Sequence, residues 1–539
     1  MTTVDFELDG RAVSVEATDG TLLDALREQL GCRAPKDGCS PQGQCGCCTV
    51  WVDGSPRVSC VTPVRRVAGR RVTTTDGLSD DVRERWAEAF VATGASQCGF
   101  CTPGIVMRLA ALEARGRGTD EATVRGALAA HLCRCTGWQT VVEAAERALG
   151  QAASPTPRRD PLLATWRAQL EGPAFQTSDA DTVLGSAGFS EDAAPEGAAV
   201  ATFGREGELV VGEGLSAARR LSGKVQGRNS TVSPTHPVPV PEGPWALTLS
   251  TTWVEPGYLE PDASWCVPGG EPSSPLGNGG AFGGKVQSPV TADARRLADE
   301  LGRPVRVVWS REDVVRLGPK RPPVAVGVRE DGTGVMRVGL SGGAAQALAD
   351  VEVLASRVAQ VAPGLVVEPL AVTGPPTSPD LRAAGWAEAA VVMAALGARA
   401  RGDAGTVPVE VSGASGSRAS VVVRADGTVG VEVWAGEVLD EITLRSYCIG
   451  AVHQALGWVR SEGIAVDGGG EVLDLTVRSF GILPARDTPR VDITIHPSDT
   501  WPVNGSDAVF AATAAAAWMA EGFAPQWPTR RDRRAGAGR

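Results

Sequence analysis

Long apolar runs are missing from this sequence. No stretch of about eighteen consecutive apolar residues occurs, so no membrane-spanning helix is expected. The opening residues, MTTVDFELDGR, lack the basic-then-apolar order of a secretory signal, which makes a cytoplasmic protein the expectation. An excess of positive charge is missing too. The 52 Lys and Arg against 63 Asp and Glu give −11 at pH 7, which argues against a nucleic-acid footprint over most of the chain. The basic C-terminal stretch TRRDRRAGAGR, residues 529–539, reads instead as a solvated, disordered tail. Cysteine is too sparse for a disulfide scaffold, 12 in 539 residues. Ten of the 12 nevertheless lie between Cys32 and Cys135, and thiols crowded in this way in a cytosolic chain point to metal rather than cross-links.

What is present reads as several units. With 539 residues and 43% hydrophobic content there is room for about three or four domains. Residues 1–77 begin with VDFELDG and AVSVEA, alternating runs around Asp9-Gly10, a hairpin signal. A short helix follows, capped by Thr21 with Asp24 three residues on, its Leu22, Leu26 and Leu30 on one face. Then come a cysteine loop and two strand-like runs, TVWVDG and RVSCVTPV. Residues 78–150 switch to the helical period. Val82, Trp86 and Phe90 form one stripe, Ile105, Leu109 and Leu112 another, with Thr102 as its cap and Pro103 at the first position. Val124, Leu128 and Leu132 form a third, and Val142, Ala145 and Leu149 a fourth, so four helices are expected. Residues 151–161 read as a linker, and 162–528 as Ala-, Gly- and Val-rich α+β sequence.

The cysteines carry the chemistry. KDGCSPQGQCGCCTV holds Cys39, Cys45 and Cys48 in a glycine-rich loop, with Cys60 as a remote fourth. Disulfides, zinc and an iron–sulfur cluster all compete for such a loop. Zinc ligands usually come as two short pairs, whereas plant-type clusters use C-x4-C-x2-C with a distant cysteine. The first gap here is five residues, SPQGQ. QCGFCTPG supplies Cys98 and Cys101 before a helix whose N-terminus favours an anionic, thiolate-rich group, and LCRCTGW supplies Cys133 and Cys135. Cys32 and Cys47 stand outside both spacings and are expected to be spectators.

Both sets, in this order, resemble the xanthine dehydrogenase/aldehyde oxidase family of molybdenum hydroxylases. The resemblance implies a multidomain α+β protein made of a β-grasp ferredoxin-like domain, a four-helix 2Fe–2S domain and a shortened molybdopterin-binding-like α+β region. It implies one 2Fe–2S cluster on Cys39, Cys45, Cys48 and Cys60 and another on Cys98, Cys101, Cys133 and Cys135, with Gln97 a further cofactor contact. In GNGGAFGGKV, the phosphate-loop reading fails because Val286 stands where a Mg²⁺-binding Ser or Thr is needed. The family's GG-x-FGGK loop matches instead, through Gly279, Gly280, Phe282, Gly283 and Gly284. LRAAGWAE places Arg382, and VHQALGW places Gln454 and Gly457, near a molybdopterin.

Two departures matter. Family segments between Gly270 and Leu276 and between Ala398 and Val411 are missing, and no flavin segment is present. The family's catalytic glutamate position falls on Ser506, followed by Asp507. If a helix begins there, adjacent side chains diverge by about 100°, so Asp507 is expected to point away from the site. The function implied is oxidoreduction of the molybdenum-hydroxylase type. An aldehyde or N-heterocycle would be the substrate, with electrons leaving to an external acceptor or flavin subunit. The alternative is a 2Fe–2S electron-transfer protein or accessory subunit with a catalytically degenerate molybdenum domain.

Overall fold

The computed structural model describes residues 3–16, 20–150, 159–172, 174, 176–224, 233–402 and 407–530. Most of the expected linker and of the expected tail lies outside them. Strands Thr3–Leu8 and Arg11–Glu16 form the hairpin, Leu8 facing Arg11 across Asp9 and Gly10. Both turn residues have positive φ, 51° and 79°, the turn twist that matches right-twisted strands. The five-stranded sheet runs Arg11–Glu16, Thr3–Leu8, Arg71–Thr73, Thr49–Val52, Ser55–Val58. Against it packs the helical turn Leu22–Asp24, closed by the Thr21/Asp24 capping box and continuing as a π-helical stretch, Ala25–Gln29. RVSCVTPV is a strand only as far as Val58; Ser59–Val61 is a 3-10 turn. The Ser59 N–H and hydroxyl both donate to the Cys48 carbonyl, at 3.2 and 2.7 Å. That turn carries Cys60 back to the cysteine loop, where an extended strand would lead it away.

Four helices follow, Asp80–Thr93, Thr102–Ala114, Glu121–Ala127 and Gln139–Ala148. Trp86 and Phe90 are wholly buried, each worth roughly 1.5–3 kcal/mol of transfer free energy. The third stripe is helical only to Ala127, because Leu128–Ala130 tightens into a 3-10 turn and Leu132 sits on the loop beyond. All three of its side chains are buried all the same. Thr102 is the first helical residue rather than the cap; Cys101 takes the capping position and the Thr102 hydroxyl bonds Ser96 instead, at 3.0 Å.

Beyond Pro161 three four-stranded sheets share the work. The largest core lies where helices Trp386–Ala400, Glu441–Arg460 and Ser506–Ala520 pack together and onto the last of these sheets. The third helix carries alanines at 508, 511, 512 and 514–517, all fully buried. Side chains this small let its neighbours approach on every side, so it runs through the core rather than over it. Thr529 and Arg530 donate their N–H groups to the carbonyls of Val459 and Arg460 at 2.9 and 3.0 Å. These first two residues of the expected tail belong to the fold, because they satisfy carbonyls that a helix end leaves open. Among the described residues no helix is long and apolar enough to cross a membrane.

Candidate iron–sulfur centres and the adjoining cleft

The first cysteine loop folds inward through Ser40, Gly43 and Gly46, whose φ values are 42°, 71° and 75°. Gly38 has no space for a side chain: a Cβ there would lie 3.1 Å from the Cys45 sulfur and 3.2 Å from that of Cys47. Gln42 and Gln44 donate backbone N–H groups to Cys39 Sγ at 3.2 and 3.4 Å. Cys39 also meets the thiols of Cys45 and Cys60, and Cys60 meets Cys48. All four are at most 2% exposed. Hydrogen bonds from Cys45 and Cys60, then from the two backbone donors, outweigh burial and hold the Cys39 thiol well below its usual range. A buried cysteine sulfur met by inward N–H groups is the donor chemistry of an iron–sulfur site. Cys32 is half-buried beside Thr74 and pushed up to about 11 by burial. Cys47 is wholly buried and contacts the Cys45 thiol, so burial alone does not separate it from the other four.

In the second set the sulfurs come in couples. Cys98 Sγ and Cys135 Sγ are 3.6 Å apart, and Cys101 bonds Cys133. The Cys101 thiol, ahead of the Thr136 hydroxyl at 3.1 Å, brings Cys133 down to about 6. Cys101 caps the 13-residue helix Thr102–Ala114, so that helix presents its positive end to the thiols. Among the described residues no group of three His, Cys, Asp or Glu side chains is placed to hold a metal ion. All 12 cysteines are free of disulfides. The two sets touch through the backbone, the Leu132 N–H donating to the Cys45 carbonyl at 2.9 Å. Gln97 pins the second loop to the C-terminal core, its amide nitrogen donating to the Cys135 carbonyl at 3.1 Å and to Ser446 Oγ at 2.9 Å.

The glycine loop lies against these thiols. A Cβ on Gly280 would come within 2.8 Å of Cys98 Cβ and 3.4 Å of Cys135 Sγ. Gly283, with φ 89°, would strike the Asp380 carbonyl at 1.9 Å. Gly457 is closed off by the Glu462 carboxylate, 2.0 Å from any Cβ. Arg382 gathers the other residues: Nε meets Asp507 Oδ1 at 2.9 Å, and Nη2 donates to Ser506 Oγ at 2.7 Å. Nη1 donates to Gln454 Oε1 at 3.2 Å. One guanidinium thus offers donors along two edges to the first turn of helix Ser506–Ala520, to buried Ser506 on one and to the more exposed Asp507 on the other. Nothing in the sequence pointed to Glu171, whose buried carboxylate accepts from the N–H groups of Gly505 and Ser506 at 3.1 and 2.8 Å and pairs with Arg167 at 2.9 Å. Nor did anything there reveal Glu462, paired with Arg134 between Cys133 and Cys135.

What remains between Phe282, Arg382, Gln454 and Phe510 is a cavity of about 30 Å³. Ligand pockets run from roughly 300 Å³ upward, and 30 Å³ suits ordered water. At this place the described residues leave a pterin-sized group no room.

Comparison with known proteins agrees with the thiol geometry. The 2Fe-2S binding domain family matches residues 74–146. The chain is 42% identical over 151 residues to the nicotine 6-hydroxylase small subunit of Paenarthrobacter nicotinovorans, covering 28% of this chain and 90% of that one. It is 33% identical over 154 residues to the nicotinate dehydrogenase small FeS subunit of Eubacterium barkeri, covering 28% and 98%. Its fold is similar to the aldehyde oxidoreductase of Desulfovibrio desulfuricans, with TM-score 0.72, 14% identity and 99% of each chain covered. These define an iron–sulfur protein with a 2Fe–2S binding domain. The chain belongs to the xanthine dehydrogenase/aldehyde oxidase family of molybdenum hydroxylases.

Proposed function

We propose that this chain is a two-centre electron-transfer protein serving an oxidoreductase of the molybdenum-hydroxylase type, and that its C-terminal region keeps the family fold with a filled cleft. Cys39, Cys45, Cys48 and Cys60 would hold one 2Fe–2S cluster, and Cys98, Cys101, Cys133 and Cys135 the other. Such clusters supply one-electron exchange. The chain's part is to keep seven of the eight thiols buried and Cys98 partly so, to aim N–H groups at Cys39, and to tie the two loops together through Leu132 and Cys45. The carrying observation is the contrast between the sites. The thiols face one another, whereas Gln454, Ser506 and Asp507 all bond Arg382, beside a cavity of about 30 Å³. The two relatives carry subunit names, which supports a partner chain here, with an external acceptor or flavin subunit beyond it.

Metal analysis of anaerobically purified protein tests this reading. Two irons per cysteine set and no molybdenum or releasable pterin are expected; stoichiometric molybdenum overturns the filled cleft, and zinc in either set overturns the clusters.

One observation favours the hydroxylase as a second reading. Phe282, Arg382, Gln454 and Ser506, from four separate segments, do meet at one place. If the cleft opens for cofactor, Ser506 still lacks a base, and general-base help is worth roughly 10²–10⁴ in rate. Ser506→Glu is then expected to raise turnover of an aldehyde or purine by about that factor; no gain in a molybdenum-loaded variant removes Ser506 from the base position.

A further inference from the structure

We propose that the surface over the first cysteine loop, centred on Arg478, docks an acceptor protein with an acidic face. The proposal rests on the electron-transfer reading above and names its partner. Arg478 is exposed, yet its guanidinium ties the first cysteine loop to the turn Leu128–Ala130 ahead of Cys133, with Nε donating to the Gln44 carbonyl at 3.0 Å and Nη2 to the Ala129 carbonyl at 3.1 Å. The Gln44 N–H in turn donates to Cys39 Sγ at 3.4 Å. One residue thus separates this surface arginine from a cluster sulfur.

The same turn is gripped from its other end by Arg108, whose Nε donates to the Ala127 carbonyl at 2.9 Å. Arg115 and Arg117, both exposed, lie near enough to Arg108 for their charges to repel, as does Arg486 to Arg478. Arg108, Arg115, Arg117 and Arg478 form no ion pair among the described residues, whereas the acids close by are engaged, Glu121 with Arg125 at 2.7 Å and Asp487 with Arg486 at 3.7 Å. In a chain of net charge −11, unneutralised arginines gathered one residue away from Cys39 Sγ form a local field of the opposite sign. Such a field raises the encounter rate with an acidic partner and is screened by salt.

The test follows reoxidation of dithionite-reduced holoprotein by stopped flow, with an acidic flavodoxin and with the basic protein cytochrome c as probes. In each encounter the protein loses one electron and the acceptor gains it. The flavodoxin rate is expected to exceed that of an Arg115→Glu/Arg117→Glu variant about tenfold at low salt, and to fall by a similar factor in about 0.5 M salt. The variant should keep its visible absorption and its rate with neutral benzoquinone. A flavodoxin rate indifferent to salt and to the double substitution, or a salt-suppressed preference for cytochrome c, overturns the docking face. Failure of dithionite to bleach iron-loaded protein overturns the electron-transfer reading itself.

Discussion

Cys47 is where spacing and geometry pull apart. Its thiol is as buried as those around it and touches Cys45, but Gly46 and Cys47 also turn their carbonyls toward Gly104, where a Cβ would lie 2.4 and 2.8 Å away. That peptide packs tightly on Gly104 of helix Thr102–Ala114, and Cys47 stands outside the three-plus-one spacing. Cys47→Ala is therefore expected to leave iron content and visible absorption unchanged, whereas loss of half the iron would place Cys47 in the ligand set and free one of Cys39, Cys45, Cys48 and Cys60. Residue identity was readable here because cysteine spacing is a local pattern. The company each residue keeps was not. Asp507 could be numbered from the sequence, but its bond to Arg382 spans 125 residues, and no periodicity records such a pairing.

Helix Glu441–Arg460 shows what one element carries between the centres. It presents Ser446 to Gln97, Gln454 to Arg382 and the Arg134 carbonyl, and His453 to the Leu483 carbonyl at 2.9 Å. His453 is 1% exposed with no partner for Nδ1, and burial pushes it down to about 4. A second proton on this ring has nowhere to go. The unfolded chain takes that proton first as pH drops below about 6.5, so the native state binds fewer protons and loses stability there. The contribution is complete above about pH 6.5 and falls by about 1.4 kcal/mol per pH unit until the folded value is reached. Buried His131, pushed down to about 3, and Glu260, pushed up to about 7, add slopes of their own, so the readout is the difference between proteins. In urea titrations between pH 7.5 and 5, His453→Gln should lose about 1.4 kcal/mol per pH unit less than the parent below about pH 6.5. An equal loss in both would mean that His453 is protonated in the fold. The hairpin at Asp9-Gly10 and the helical stripes were legible because turn chemistry and the 3.6-residue period are local. The 3-10 turns at Ser59–Val61 and Leu128–Ala130 were not. There the backbone bends to deliver Cys60 and Cys133, a demand set by distant sulfurs.

Over the whole molecule, the C-terminal region holds the N-terminal metal loop from outside. Asp192 accepts from Arg27 at 2.8 Å and from Lys36, which also donates to the Gly185 carbonyl at 2.7 Å. Lys36 is 1% exposed and stands three residues before Cys39. Burial alone would raise the Asp192 carboxyl, but the two cations outweigh it and hold it below the usual range. Charge complementarity across more than 150 residues leaves no local trace, which is why this joint was invisible in the sequence while the loop it steadies was plain. Removing one partner of a buried ionic group leaves the others unpaired, at about 3–5 kcal/mol. Asp192→Asn is therefore expected to lower unfolding free energy by about that much. It should also hasten loss of iron from the first cysteine set to a chelator, while the second set, anchored through Gln97 and Ser446, keeps its signal longer. Reduced protein should then show one of two EPR signals fading ahead of the other. Simultaneous loss of both would mean that the two loops come apart as one unit, with Asp192 serving the whole rather than the loop beside Lys36.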